Sequence, residues 1–436
     1  MKTAAFVRQL SQCDAEAAKL PPLVDFQREV LPDLDKINAR LRTLCGKINL
    51  LKIITPIHID WSAPNPRFFY DQDLLNELGL LSPRLGELSS RLDNYTPDSH
   101  AADLYQWLLA RRVAYLQKIL LVAECVQNGD DERLADIYAQ IFERQDQETL
   151  MAARYFLRHG GEIKTDNPAW LSQAQAYQLT QLSFDALAIK QFFTQALKFY
   201  GLENRYAVVI TNKRQLITVS ADQLDSRAIV YIPARRQLNG GDLLRLIAHE
   251  IETHVLDNLN REGLLRYLMP TNQAILYEGR AMASDVACGV GLLGRTQILI
   301  PKCLLITAID AALRGANFAQ TQGLVLETIK TCQLPVNNPL MLARQTAYRI
   351  FRGVSDPSRS SEAVFTKDQA YMTGWLLVDK LQKLGLDHYL DIGASQAEEL
   401  VMILRHYRFD NSMLIYRRRD FVRTLAAELL SAAAEH

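Results

Sequence analysis

Several absences narrow the field before any motif is read. The six cysteines, Cys13, Cys45, Cys125, Cys288, Cys303 and Cys332, form no CxxC pair and no dense framework, so the chain is not a small disulfide-stapled secreted module and its thiols are expected to be free in a reducing compartment. Charge of one sign is missing too. Forty-nine Lys plus Arg against forty-nine Asp plus Glu leave a formal net charge of +0, so no global field draws the chain toward nucleic acid or an anionic membrane. The richest apolar stretch, residues 298–313, is interrupted by Lys302 and Asp310 and falls short of the roughly 18 uninterrupted apolar residues of a spanning helix. The start of the chain is broken by Arg8, Gln9, Gln12, Asp14 and Glu16, too polar for a signal peptide. No GxGxxG or GxxxxGK[ST] loop occurs, which removes the common phosphate cradles. A cytoplasmic protein with neither a nucleic acid nor a membrane as partner is expected.

With 48% hydrophobic residues, 20 Gly and 15 Pro in 436 residues, the composition is that of a globular chain long enough for two or three folded units. From about residue 6 to 156, apolar residues recur at three- and four-residue spacing, and strand signals are nearly absent. Breaks fall at Pro21-Pro22, residues 55–69, Pro83, residues 93–99 and residues 129–131. Three β-rich runs follow a helical stretch at 172–200: YAVVITN, QLITVSA and AIVYIPA, a small sheet expected to be antiparallel. The turn Asn239-Gly240-Gly241-Asp242 then opens a helix, with Asp242 as the expected cap. The expected fold class is α+β and mostly helical: a helical N-terminal region, 1–170, and a second domain, 171–436, with the small sheet beside the helix that follows it.

That helix carries His249-Glu250-Ile251-Glu252-Thr253-His254, an HExxxH pattern one residue longer than the HExxH of common zinc proteases. Histidines four apart on a regular helix lie within about 40° of each other, whereas five apart they diverge by roughly 140°. Joint ligation therefore requires a π-bulge or a helix that ends before His254. Catalytic zinc also needs a third protein donor and an open position. Glu278, 24 residues beyond His254, is the leading candidate, on a second helix returning after a turn at residues 269–272. Glu250 would act as general base on a metal-acidified water and then protonate the leaving amine. His254 as an ordinary helix histidine and Glu278 as a surface carboxylate remain the bland alternatives on spacing alone. The histidines at 58, 100, 159, 388, 406 and 436 lack partners at ligand spacing and read as structural or exposed, and Cys288 reads as an inert thiol.

HEIETHVLDNLN followed by YEGRAMASD resembles the bacterial QEGLA-motif proteins, described as modulators of flavohemoglobin expression, and the related eukaryotic microtubule-associated tyrosine carboxypeptidases. The likeness runs from about residue 199 to 374 and includes FTKDQAYMTG, residues 365–374, which is similar to the family's FTKDxxYxxG. The resemblance implies a zincin-like metallopeptidase catalytic domain over 171–436, with one zinc ion per chain on His249, His254 and Glu278 and Glu250 as catalytic base. Three positions depart from the family pattern: Tyr277 replaces Gln, Arg280 replaces Leu, and Asp257 stands where an Arg is expected.

The resemblance also implies a carboxypeptidase acting on a peptide or protein C-terminus, with a possible preference for an aromatic, tyrosine-like residue. Such an enzyme needs a cation for the terminal carboxylate; Arg280, Arg349, Arg352 and Lys367 are the candidates. Tyr371, four residues after Lys367 and expected on the same helix face, could donate to the oxyanion. Asp285 could orient a ligand from behind, and the strand at 228–233 is the expected edge for an extended peptide. An aminopeptidase or small-peptide amidase on the same zinc, and a regulatory protein with non-catalytic zinc, stay open. Substrate and oligomeric state are not readable from the sequence.

Overall fold

The computed structural model describes residues 3–142, 146–159, 170–214, 216–224, 227–266, 268, 275–288, 294–359, 363–394, 396–417 and 420–434. The turn expected at residues 269–272 and the histidine at 436 lie outside these. The protein is the mostly helical α+β fold expected from the sequence.

The N-terminal helices gather around one long element, α1 (His100–Asn128). Its cap Ser99 accepts a hydrogen bond from the Ala102 N–H, and it ends at Gly129 with φ +67°, where the left-handed conformation suits glycine. Buried side chains such as Tyr105, Leu108, Leu116 and Val122 wrap most of its circumference, as a central helix requires. Residues 55–69, read as an irregular break, contain a short antiparallel ribbon, His58–Asp60 on Arg67–Phe69. Three-residue strands are too short to leave an alternating pattern in the sequence.

Helix α2 (Ala186–Phe199) leads into β1 (Tyr206–Thr211), β2 (Thr218–Leu224) and β3 (Arg227–Pro233). The strand order is β1-β3-β2. β2 and β3 form the expected antiparallel hairpin, while β1 joins β3 in parallel, so the sheet is mixed. The reason is topological: the chain reverses once before β2 and again at the hairpin, returning β3 to the direction of β1. This also corrects the expected docking edge. Arg227–Pro233 is paired on both sides, and among the described residues the edge strands of this sheet are β1 and β2.

The motif helix α3 (Gly240–His249) begins where Asn239 accepts from the Asp242 N–H at 2.8 Å. Asn239, rather than Asp242, is therefore the cap, because Asp242 already lies in the first helical turn. A π-helical turn, Glu250–Val255, links α3 to α4 (Leu256–Leu264). Beyond it lie α5 (Ile275–Ala287), α6 (Gly294–Leu313), α7 (Pro339–Ile350) and α8 (Gln369–Lys383).

Two apolar cores hold these elements. The larger unites the N-terminal helices with residues of α5 to α8, among them Met282, Leu304, Ala347 and Met372. The smaller packs α2, the sheet, α3 and α4 against Phe421, Val422 and Leu425 near the C-terminus. Among the described residues no helix is long and apolar enough to cross a membrane.

Candidate metal centre

On α3, Leu243, Leu244, Ile247 and Ala248 are buried in the smaller core, and this anchors His249 at the helix end. The π turn then resolves the spacing problem. By widening one turn it carries His254 round to the same side, and the two Nε2 atoms stand 3.2 Å apart with the rings nearly perpendicular at 85°. The Thr253 hydroxyl donates to the carbonyl of Ala248, five residues back, at 3.0 Å, and meets Ser284 Oγ at 2.9 Å. A side chain thus stitches the i to i−5 geometry in place and ties it to α5.

Glu278 enters from α5, its Oε2 4.0 Å from His254 Nε2. One ligand atom from each of His249, His254 and Glu278 lies within 4.8 Å of the others. Two glycines set this approach. A Cβ on Gly374 would come 2.6 Å from the Gly279 Cα, and one on Gly279 would come 2.6 Å from the Gly374 carbonyl oxygen, so α5 and α8 cross backbone to backbone. The crossing places Glu278 beside Lys367, whose Nζ is 3.4 Å from Glu278 Oε1. Lys367 sits in the turn preceding α8 rather than on it, so it shares no helix face with Tyr371: the helix starts at Gln369.

Each imidazole has its own support. Asp285 Oδ2 lies 3.0 Å from His249 Nδ1, and Asp285 Oδ1 accepts from Arg245 at 3.2 Å. His254 is stacked on Tyr277, centroids 4.2 Å apart, and the Tyr277 hydroxyl donates to the His254 carbonyl at 3.4 Å. Burial disfavours the charged form of His249, but Asp285 more than offsets this and raises its pKa. For His254, burial and the neighbouring His249 bring the pKa down to about 3, leaving the neutral ring that ligates metals. Burial pushes Glu278 upward, yet Lys367 and the two histidines hold it below the usual carboxylate range. Glu250 goes the other way: burial, aided by Glu278 and Asp285, lifts it to about 7 against the pull of His249 and the Val219 N–H. A carboxylate near neutrality is suited to accepting and returning a proton.

The donor set suits a zinc ion. Two ligands at the usual 2.0–2.1 Å from a tetrahedral zinc stand about 3.3 Å apart, close to the 3.2 Å between the imidazole nitrogens. The Glu278 oxygen, 4.0 Å from His254 Nε2, stands somewhat farther off. No other cluster of three such donors occurs among the described residues.

The candidate cations are variously engaged. Arg280 is buried and bound by Asp257, at 2.9 Å, and by Asp391. Two departures from the family pattern, Asp257 and Arg280, are thus partners. Arg349 donates to Asp368 at 2.7 Å and lies against Tyr371. Arg352 stacks over Tyr348, 5.1 Å from the centroid. Tyr371, its pKa held well above the ordinary value by Glu278 and by burial, keeps its proton.

Lys302 on α6 escaped the sequence reading. Its Nζ lies 3.6 Å from the centroid of the Tyr371 ring, and burial, together with Arg349, lowers its pKa to about 8. The signal was there: a lysine in the middle of an otherwise apolar helical run has either a partner or a task. The remaining described histidines meet aromatic rings or a carbonyl, as His58 on Phe69 and His388 on the Gly385 carbonyl.

No curated protein matches the chain. The family model of the microtubule-associated tyrosine carboxypeptidases matches residues 81–402, taking in the motif helix, Glu278, Lys302 and Tyr371, and on that match the chain belongs to this carboxypeptidase family.

Proposed function

We propose that the protein is a zinc metallocarboxypeptidase that removes the last residue, aromatic and tyrosine-like by preference, from a peptide or protein C-terminus in the cytoplasm. The observation that carries this reading is the π turn, an uncommon distortion that sets two imidazoles 3.2 Å apart beside a half-buried glutamate. His249, His254 and Glu278 would hold one zinc ion, which supplies a Lewis acid able to polarise the scissile carbonyl and acidify water.

The chain's own residues do the rest. Glu250, braced by the Val219 N–H on β2, takes a proton from the attacking water and delivers it to the leaving amine nitrogen. The Tyr371 hydroxyl donates to the oxygen that gains charge as the carbonyl becomes tetrahedral. Asp285 and Tyr277 fix the two rings so that little reorganisation accompanies the reaction. The outer edge of β2, the strand against the π turn, aligns an extended substrate. Lys367 steadies Glu278, and Arg280, paired with Asp257 and Asp391, belongs to the scaffold in this reading.

The test uses the full-length protein. Wild type and Glu250→Gln should each carry about one zinc, and Glu278→Ala should carry almost none. Wild type should trim a peptide ending in tyrosine but spare its C-terminal amide, and Glu250→Gln should lose on the order of 1,000-fold or more in turnover. Equal cleavage of the amide would favour an amidase or aminopeptidase. Full biological activity in Glu250→Gln would favour non-catalytic zinc.

A further inference from the structure

A carboxypeptidase must distinguish a free terminal carboxylate from a continuing chain. The four cations suggested by sequence leave that task open: Lys367 faces Glu278, Arg349 faces Asp368, Arg280 is held by two aspartates, and Arg352 lies on Tyr348.

Lys302 is placed differently. It reaches from the middle of α6, and among the described residues its ammonium has neither an ion pair nor a hydrogen bond; its contact is the face of Tyr371. Glu278 and Glu250 both act electrostatically on Tyr371, and Glu278 acts on Lys302 itself, so the ammonium lies within the field of the reacting centre. A half-buried lysine without a counter-ion is costly unless something repays the lost hydration. Of the charges around it Arg349 acts most strongly, ahead of the carboxylates Asp368, Glu278 and Asp285. An anion arriving there would find the Lys302 ammonium as its direct partner and the Tyr371 ring beside it, with Arg349, already paired with Asp368, nearby.

Resting on the carboxypeptidase reading above, the geometry points to Lys302 as the residue that binds the substrate's terminal carboxylate, with Arg349 flanking it and the Tyr371 ring as the wall between carboxylate and metal. The ligand class is therefore an α-carboxylate next to the scissile amide. The lysine, unpaired in the free protein, gains its partner only in the complex, so much of the binding selectivity is expected to reside in this one ion pair. Breaking one partner of a desolvated pair of this kind typically weakens binding by about 30- to 1,000-fold.

The experiment is calorimetric titration of the zinc-loaded full chain with N-acetyl-L-tyrosine and with N-acetyl-L-tyrosinamide, alongside cleavage of a tyrosine-ended peptide. Wild type should bind the acid about 100-fold more tightly than the amide. Lys302→Met should erase that preference and raise KM far more than it lowers kcat, with zinc content and Tm unchanged. Lys302→Arg, which keeps the charge, should retain most of the preference. A Lys302→Met protein that still prefers the acid, while trimming C-termini normally, would overturn Lys302 alone. Wild type that binds acid and amide equally and cleaves amidated peptide would overturn the carboxypeptidase reading as well. Loss of zinc or of folding in both variants would make Lys302 a scaffold residue and end the assignment.

Discussion

The histidine side and the glutamate side of the centre are built in different ways. His249 and His254 sit on one continuous stretch rooted in the smaller core, with Leu244, Ile247, Ile251 and Val255 packed beneath them. Glu278, Lys302, Arg349, Lys367 and Tyr371 come from α5, α6, α7, the turn before α8 and the first turn of α8, around the larger core. The first half is local and depends on a single distorted turn. The second is assembled from segments up to about a hundred residues apart and depends on how closely two helices can cross. A metal ligated by both halves would bridge the two cores, so errors in either should reach the ion, though at different thermodynamic cost.

The largest effect is expected where the glutamate side is tightest. Gly374→Ala would force a methyl group against the α5 backbone, where no side-chain rotation can relieve the clash; a loss of about 3 kcal/mol or more is expected, seen as a marked drop in Tm together with weaker zinc binding. A wild-type Tm would show that the crossing is looser than it looks and would erase the contrast.

On the histidine side, Glu250→Gln should stabilise the metal-free protein, and only above mildly acidic pH. The carboxyl's folded pKa of about 7 lies above its ordinary 4.5. The stability linked to it is therefore fully present below pH 4.5 and is lost as pH rises through 7. The variant, which cannot ionise there, should gain about 1–3 kcal/mol over wild type at pH 8 and nothing at pH 4; parallel melting curves at the two pH values would refute this. The smallest effect is expected from Thr253→Val. It removes the hydroxyl that holds the Ala248 carbonyl and Ser284, costing about 1–2 kcal/mol and some zinc affinity. An unchanged zinc Kd would mean that the backbone alone sustains the π turn.

The difference between the two sides also explains what could be read in advance. HExxxH demanded either a π-bulge or a helix ending before His254, because helical periodicity is a fixed local rule, and the π turn is there. Asp285 was foreseen behind a ligand because seven residues after Glu278 brings it to the same helix face, and it faces His249. Gly279 and Gly374 stood in recognisable motifs, yet their shared reason, a helix crossing, could not be seen from either alone. Lys302 was visible only as an interruption in an apolar run. The parallel placement of β1 likewise depended on chain reversals that no strand records in its own residues.

By itself, the chain's order of side chains determined most of the helices, the turn that opens the motif helix, and the strained spacing of its two imidazoles, since each follows from dihedral preferences and periodicity within a few neighbours. Which carboxylate meets those imidazoles, which lysine lies over Tyr371, and how Asp257 and Arg280 answer one another were decided only by tertiary packing. Contacts between distant segments are selected by the burial of two whole cores, a sum over many side chains that no local pattern contains.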